Sequence, residues 1–142
     1  MKRFLAALAW AISLSLLLFA CSGGGGGKQS EKLNGKWTAD AEESIKLSGQ
    51  TLENELELQM AKAILAAVNL NIDLKAQKMS FNVGDAINEE MTFTIASEDK
   101  KSVVLQSEDE KKVTFEFIND DFVIMRDESD PDKAIALKRA AQ

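Results

Sequence analysis

The sequence predicts an α+β fold, a bent or barrel-like antiparallel meander of about seven or eight strands with one long amphipathic helix after the first strand. Three observations lead there. From Leu70 to the C-terminus, short segments alternate apolar and polar residues with the two-residue period of a half-buried strand. Charged or glycine-containing turns separate them. One segment, Leu52 to Val68, replaces that period with a four-residue one.

The first strand is expected around Gly35-Lys36-Trp37-Thr38. Asp40 and Glu43 then form a capping box, in which Asp40 accepts a backbone N–H and Glu43 reaches back, so a short helical segment follows and stops at Ser48-Gly49. Thr51 is the next N-cap candidate, with Glu53, Glu55 and Glu57 placed where negative charge favours a helix start. Leu52, Leu56, Met60, Ile64 and Val68 recur at i, i+4 and predict a helix of about four turns, whose apolar stripe is expected to bury at the open end or concave face of the sheet. Around Asn69 the period changes. Leu70, Ile72 and Leu74, a turn at Ala76-Gln77, then Met79, Phe81 and Val83 read as a hairpin closed by Gly84-Asp85. Further inward-facing sets are Met91-Phe93-Ile95, Val103-Leu105, Val113-Phe115-Phe117, Phe122-Ile124 and Ile135-Leu137, joined by turns such as Glu98–Lys101 and Glu108–Lys111.

Composition excludes several chemistries. The 142 residues contain one Cys, no His and no Tyr, and carry a formal net charge of -6. Without histidine there is no Ser-His or Cys-His nucleophile pair, no imidazole base and no His-ligated zinc. One cysteine allows no intrachain disulfide. An acidic chain lacks the basic footprint that holds phosphate backbones, so nucleic acid is not an expected partner.

The N-terminus has the order of a secretory signal. Lys2 and Arg3 precede an uncharged run from Phe4 to Phe19 broken only by Ser13 and Ser15, shorter than the ~20 apolar residues of a bilayer span. It ends in Leu18-Phe19-Ala20-Cys21, then Ser22 and the glycines Gly23 to Gly27. These residues resemble bacterial lipoproteins, whose lipobox has Leu three positions before the cysteine and a small residue just before it. Leu18, Ala20 and Cys21 match, and Phe19 is bulkier than usual at its position. The resemblance implies cleavage after Ala20, a diacylglyceryl thioether on Cys21 and a further acyl chain such as palmitate on the new amino group. It also implies a bacterial cell-envelope address, lipid-anchored, with Ser22 after the cysteine pointing to the outer membrane facing the periplasm. Two or three acyl chains anchor stably where one does not. The expected organisation is a signal peptide over residues 1–20, a lipidated cysteine with a glycine-rich tether over 21–32, and one globular domain over 33–142.

Gly35-x-Trp37 at the head of a strand meander resembles the small lipocalin-like domains of some bacterial lipoproteins, in which the Trp packs across the barrel base. In that family the main helix follows the strands, whereas here it precedes most of them. Trp37, Met60, Met79, Phe81, Met91, Phe93, Phe115 and Phe117 are the candidates either for a filled core or for the lining of an apolar pocket, since Met and aromatic side chains adapt to hydrophobic ligands.

No motif for a cofactor or metal stands out. The acidic clusters Asn119–Asp121 and Asp127–Asp132 read as hairpin turns, because a calcium loop starting at Asp127 has Asp132 and Lys138 where Gly and Glu are required. Glu89 and Glu90 are adjacent on a strand and so face opposite sides, unsuited to flanking one bond. The expected function is therefore that of a non-catalytic envelope lipoprotein acting through protein contacts, as an accessory or structural component whose acidic surface suits a basic partner. The alternative is a lipocalin-like binder of a small apolar ligand.

Overall fold

A computed structural model describes residues 28–49, 51–52 and 54–141. The leader, the lipobox Leu18-Phe19-Ala20-Cys21 and the glycines Gly23–Gly27 lie outside the described residues.

The elements in chain order are α1 (Gln29–Leu33), β1 (Gly35–Ala39), α2 (Ala41–Ser48), α3 (Glu55–Ala66), β2 (Val68–Asp73), β3 (Lys78–Val83), β4 (Ile87–Glu98), β5 (Ser102–Ser107), β6 (Lys112–Asn119), β7 (Phe122–Asp127) and β8 (Asp130–Arg139). Each strand pairs antiparallel with the next, and β8 returns to pair with β1, closing an eight-stranded up-and-down barrel. The predicted fold class is the one observed, consistent with a lipocalin-like barrel. Closure leaves the sheet without an edge of the kind that invites another chain.

Directly opposed residues share a face, so the register defines the interior. Trp37 lies opposite Leu70, which lies opposite Phe81, and Val103, Phe115, Met125 and Ile135 form another row. Leu33, Trp37, Leu70, Ile72, Val103, Leu105, Phe115, Val123 and Leu137 are almost wholly shielded from solvent and make the core.

The base of the barrel is plugged. Leu33 sits at its centre with no exposed surface, and its carbonyl accepts a hydrogen bond of 2.8 Å from the Trp37 indole Nε1. The Arg139 guanidinium lies 4.4 Å from the centre of the Trp37 ring. It also donates to the Asp121 carboxylate at 3.1 Å and to the carbonyls of Lys32, Asn34 and Asp120 at 2.6, 3.2 and 3.0 Å. Gly35, between plug and strand, has φ of +120°, a conformation that a side chain strains, and a Cβ there would come within 3.5 Å of Arg139. The glycine of Gly35-x-Trp37 is thus fixed by backbone, and the tryptophan by packing. α1 includes residues that the sequence assigns to the tether: Gln29 bonds the Lys100 carbonyl, Ser30 N–H donates to Glu98 at 3.2 Å, and Ser30 is buried. These long-range bonds dock five residues too few to form a stable helix by themselves.

The connection from β1 to β2 holds the two larger helices. Asp40 caps α2 by accepting from Glu43 N–H, and Gly49 ends it at φ 63°. The buried Ser44 hydroxyl accepts from Ala136 N–H at 3.0 Å, satisfying a β8 donor just beyond the end of β1. Asn54, not Thr51, caps α3.

Two expectations are corrected here. The stripe of α3 does not enter the barrel: Leu56, Met60 and Ile64 are 62%, 58% and 58% exposed, and Val68 belongs to β2, where it is buried. Met60 is therefore neither core nor pocket lining. α3 instead packs on α2 from outside through the half-buried Leu58, Ala61, Lys62 and Leu65, with Lys62 paired to Glu42 at 3.5 Å. In β7 the inward residues are Val123 and Met125, not Phe122 and Ile124. Both faces of that strand meet protein, because α2 packs on the outer side of neighbouring β8, where Ala134 and Ala136 are buried and Ile124 lies opposite Ala136. A continuous apolar run carries no alternation from which to read a face.

Replacing Arg139 with Ala removes the cation over Trp37 and its bonds to the plug and is expected to destabilise the fold by about 2–4 kcal/mol. Arg139→Lys should recover less than half of that, since an ammonium cannot reproduce the planar fork. Urea unfolding followed by circular dichroism measures both, and equal stability of wild type and Arg139→Ala would contradict the role given to the plug.

Candidate functional site

β4 is the long strand of the barrel and it changes partners midway. Residues 87–92 pair with β3 and residues 93–98 with β5. Beyond Phe93 the β3–β4 and β5–β6 hairpins therefore splay apart, and residues 88–91 have no β5 neighbour. A cavity of about 620 Å³ opens there into the end of the barrel opposite the plug. Its size is within the ~300–1,000 Å³ of small-molecule sites.

The floor and walls are apolar. Met79 and Met91 lie opposite each other across β3 and β4, and with Phe93, Leu105 and Val113 they line the cavity. Met79, Phe93 and Leu105 are at the same time buried members of the core, so the cavity is floored by core side chains. The rim is charged: Glu89, Glu90, Asp109 and Asp127 against Lys111.

The four carboxylates are held differently. Glu90 points outward and pairs with Lys78 at 2.7 Å, whereas Glu89 shares the inward face of Phe81. The sequence-based expectation that these neighbours face opposite sides is what the register gives. Asp127 is opposite Val113 on the inward face, and its carboxylate accepts from the Ser129 hydroxyl at 2.6 Å and the Ser129 N–H at 2.8 Å. Those bonds, the hydroxyl first, hold its carboxyl below the usual aspartate range, with smaller help from Lys111 and Lys133. Glu89 and Asp109 have no hydrogen-bond or ion-pair partner among the described residues.

Of the residues proposed from sequence for a pocket or core, Trp37, Phe115 and Phe117 fill the lower core, Met79 and Phe93 both close that core and floor the cavity, Met91 lines the cavity wall, and Phe81 packs half-buried beside it. Met60 lies elsewhere. Cys21 is outside the described residues. The charged rim was not singled out from sequence, because it is assembled from one strand and two turns, and only the register of β4 places Glu89 inside. Each acidic cluster spans a hairpin turn, at 120–121 and 128–129, but Asn119, Asp127 and residues 130–132 belong to the flanking strands, contrary to the reading of the whole clusters as turns. Asp120 and Asp121 bind Lys32 and Arg139, and Asp127 accepts from Ser129 N–H across the β7–β8 turn. Among the described residues no three acidic or sulfur ligands stand together as a metal site, and no helix is long and apolar enough to cross a membrane.

Comparison with protein-family models, with curated proteins and with solved structures finds no match for the chain.

Asp99, in the β4–β5 turn, resembles Asp127: it accepts from Lys101 N–H at 2.7 Å, the Ser102 hydroxyl at 2.9 Å and Ser102 N–H at 2.8 Å, in that order of effect, and its carboxyl also sits below the usual range. A lowered folded pKa contributes stability that is present above the unfolded value of about 3.9 and lost as pH falls through and beneath it. Thermal unfolding between about pH 5 and pH 3 should accordingly show a shallower loss for the Asp99→Asn/Asp127→Asn double variant than for wild type. Parallel profiles would contradict the assignment.

Proposed function

We propose that the chain is a non-catalytic, lipid-anchored protein of the bacterial cell envelope that binds a small apolar ligand in the mouth of its barrel. The observation that carries this reading is the cavity of about 620 Å³ floored by Met79, Phe93 and Leu105, in a barrel whose opposite end is plugged by Leu33, Trp37 and Arg139. An eight-stranded barrel either fills with side chains or leaves room for one small ligand. In this one side chains fill much of the interior and a cavity opens beside them at the mouth. The anchor rests on the lipobox Leu18–Cys21, and the outer membrane facing the periplasm is the proposed address.

A second reading, an accessory component acting through protein contacts, is favoured by the exposed apolar row Leu56, Met60 and Ile64 on α3 together with the acidic surface. A basic partner suits that charge, and its attraction would weaken with salt.

Two experiments test the proposal. Native mass spectrometry of the full-length protein released from its membrane, with 1-dodecanol as probe, should show one bound molecule per chain. Met91→Trp narrows the cavity and should weaken that complex, while the unfolding free energy stays within about 1–3 kcal/mol of wild type. Bare protein at every probe concentration would overturn the ligand reading. In a Gram-negative host fed alkynyl palmitate, the wild type should take up label and fractionate with the outer membrane, and Cys21→Ser should do neither. Labelling that survives Cys21→Ser would remove the anchor.

A further inference from the structure

The rim of the cavity narrows the class of ligand. Beside an apolar floor it places carboxylates from three separate stretches of chain, Glu89 on β4, Asp109 in the β5–β6 turn and Asp127 at the end of β7, against the single cation Lys111. Among the described residues some surface carboxylates are answered by a cation, and others, such as Glu31, Glu55, Glu57, Asp85 and Glu116, are not. Glu90 has Lys78, Glu43 has Lys46, Glu42 has Lys62, Asp130 has Lys133, Asp120 has Lys32 and Asp121 has Arg139. At the mouth, Glu89 and Asp109 are not answered either. Lys111 makes no ion pair among the described residues, and its charge gives a minor contribution to keeping the Asp127 carboxyl below its usual range.

We propose that the mouth selects a single-chain cationic amphiphile, with an ammonium or guanidinium head held between Glu89 and Asp109 and an alkyl chain lying on Met79, Met91, Phe93, Leu105 and Val113. This rests on the ligand reading above and adds the sign of the head group. A positive head gains attraction from both exposed, unpaired carboxylates at the rim, an attraction that salt weakens. A negative head meets the same two groups as repulsion, and a neutral one has only the apolar contact. The two methionines suit an alkyl chain, since unbranched thioether side chains fit irregular apolar surfaces. Glu90 also stands on the rim, but its outward pairing with Lys78 leaves it out of the head site.

The test uses the full-length chain in lipid nanodiscs, with empty nanodiscs as background. Three dodecyl photoprobes carry the same diazirine in the chain and differ only in the head, which is trimethylammonium, sulfate or hydroxyl. Crosslinked positions are mapped by peptide mass spectrometry. The expected result is labelling at Met79, Met91 and Phe93, half-saturating at least about tenfold lower in concentration for the ammonium probe than for the other two. The Glu89→Gln/Asp109→Asn double variant should lose that preference while still being labelled by the hydroxyl probe. Equal labelling by all three heads, weakened by Met91→Trp, would overturn the cationic selection and leave the ligand reading standing. Preference for the sulfate head would overturn the selection as well. No labelling of cavity residues by any probe would overturn both. A preference for the ammonium head that persists in the double variant would also count against the proposal, because Glu89 and Asp109 would then not be its source.

Discussion

The barrel depends on one stacked pair at its base, the Arg139 guanidinium over the Trp37 ring. A meander becomes a barrel only if its last strand finds its first, and here that seam is short: Trp37 opposite Arg139, Thr38 opposite Lys138 and Ala39 opposite Leu137. Arg139 adds to those three pairs what a ladder cannot. Its fork reaches the carbonyls of Lys32 and Asn34 on the chain entering β1, and the carbonyl of Asp120 and carboxylate of Asp121 in the β6–β7 turn. One side chain thus ties the N-terminal helix, the first strand, a distant turn and the last strand to one point. Trp37 provides the apolar platform, and its indole N–H finds the Leu33 carbonyl, so no buried donor is left unpaired.

The plug at one end leaves an asymmetric barrel. Large side chains crowd the base, where Leu33, Trp37, Leu70, Phe115 and Leu137 exclude solvent. Towards the mouth the inward positions carry Glu89, Ser107 and Asp127, which an apolar interior would not tolerate. The change in residue type and the change in packing coincide at the layer of Met79, Phe93 and Leu105. The partner exchange along β4 then widens the mouth sideways, since residues 87–92 and 93–98 serve different neighbours. α2 and α3, which connect β1 to β2 at the end away from the plug, lie outside the barrel, Ser44 bonding the β8 backbone and Lys62 reaching Glu42.

The strands and turns were legible because strand alternation and turn chemistry are local. Ala76-Gln77, Gly84-Asp85 and Glu108–Lys111 sit in the turns where they were expected, with Gln77, Gly84 and Glu110 at positive φ. The Asp40 cap and the Gly49 stop were legible for the same reason. What failed was anything that required knowing which neighbour covers a face. The row Leu56, Met60 and Ile64 has the spacing of a buried stripe, and spacing alone does not tell whether an interior is available to receive it. In β7, Phe122 to Met125 is apolar throughout, and the inward pair was settled by the register with β6 and β8. The apolar half of the site was partly visible, as Met79, Met91 and Phe93 were among the candidates. The charged half was not, because Glu89 differs from Glu90 only by the face that β4 turns inward, a long-range property of the register.

Plug and mouth also bear on where the molecule sits if Cys21 carries lipid. The chain joins the barrel at Lys28, beside α1, which docks on the β4–β5 turn and the base. Covalent geometry limits the span from Cys21 to Lys28 to roughly 25 Å. An anchored barrel would therefore stay within about its own diameter of the bilayer, and its mouth lies at the end remote from the point of attachment. The row on α3, lying outside the barrel wall between base and mouth, stays uncovered in that arrangement. The molecule thus carries two separate apolar features, a cavity at the mouth and an exposed row on the helix.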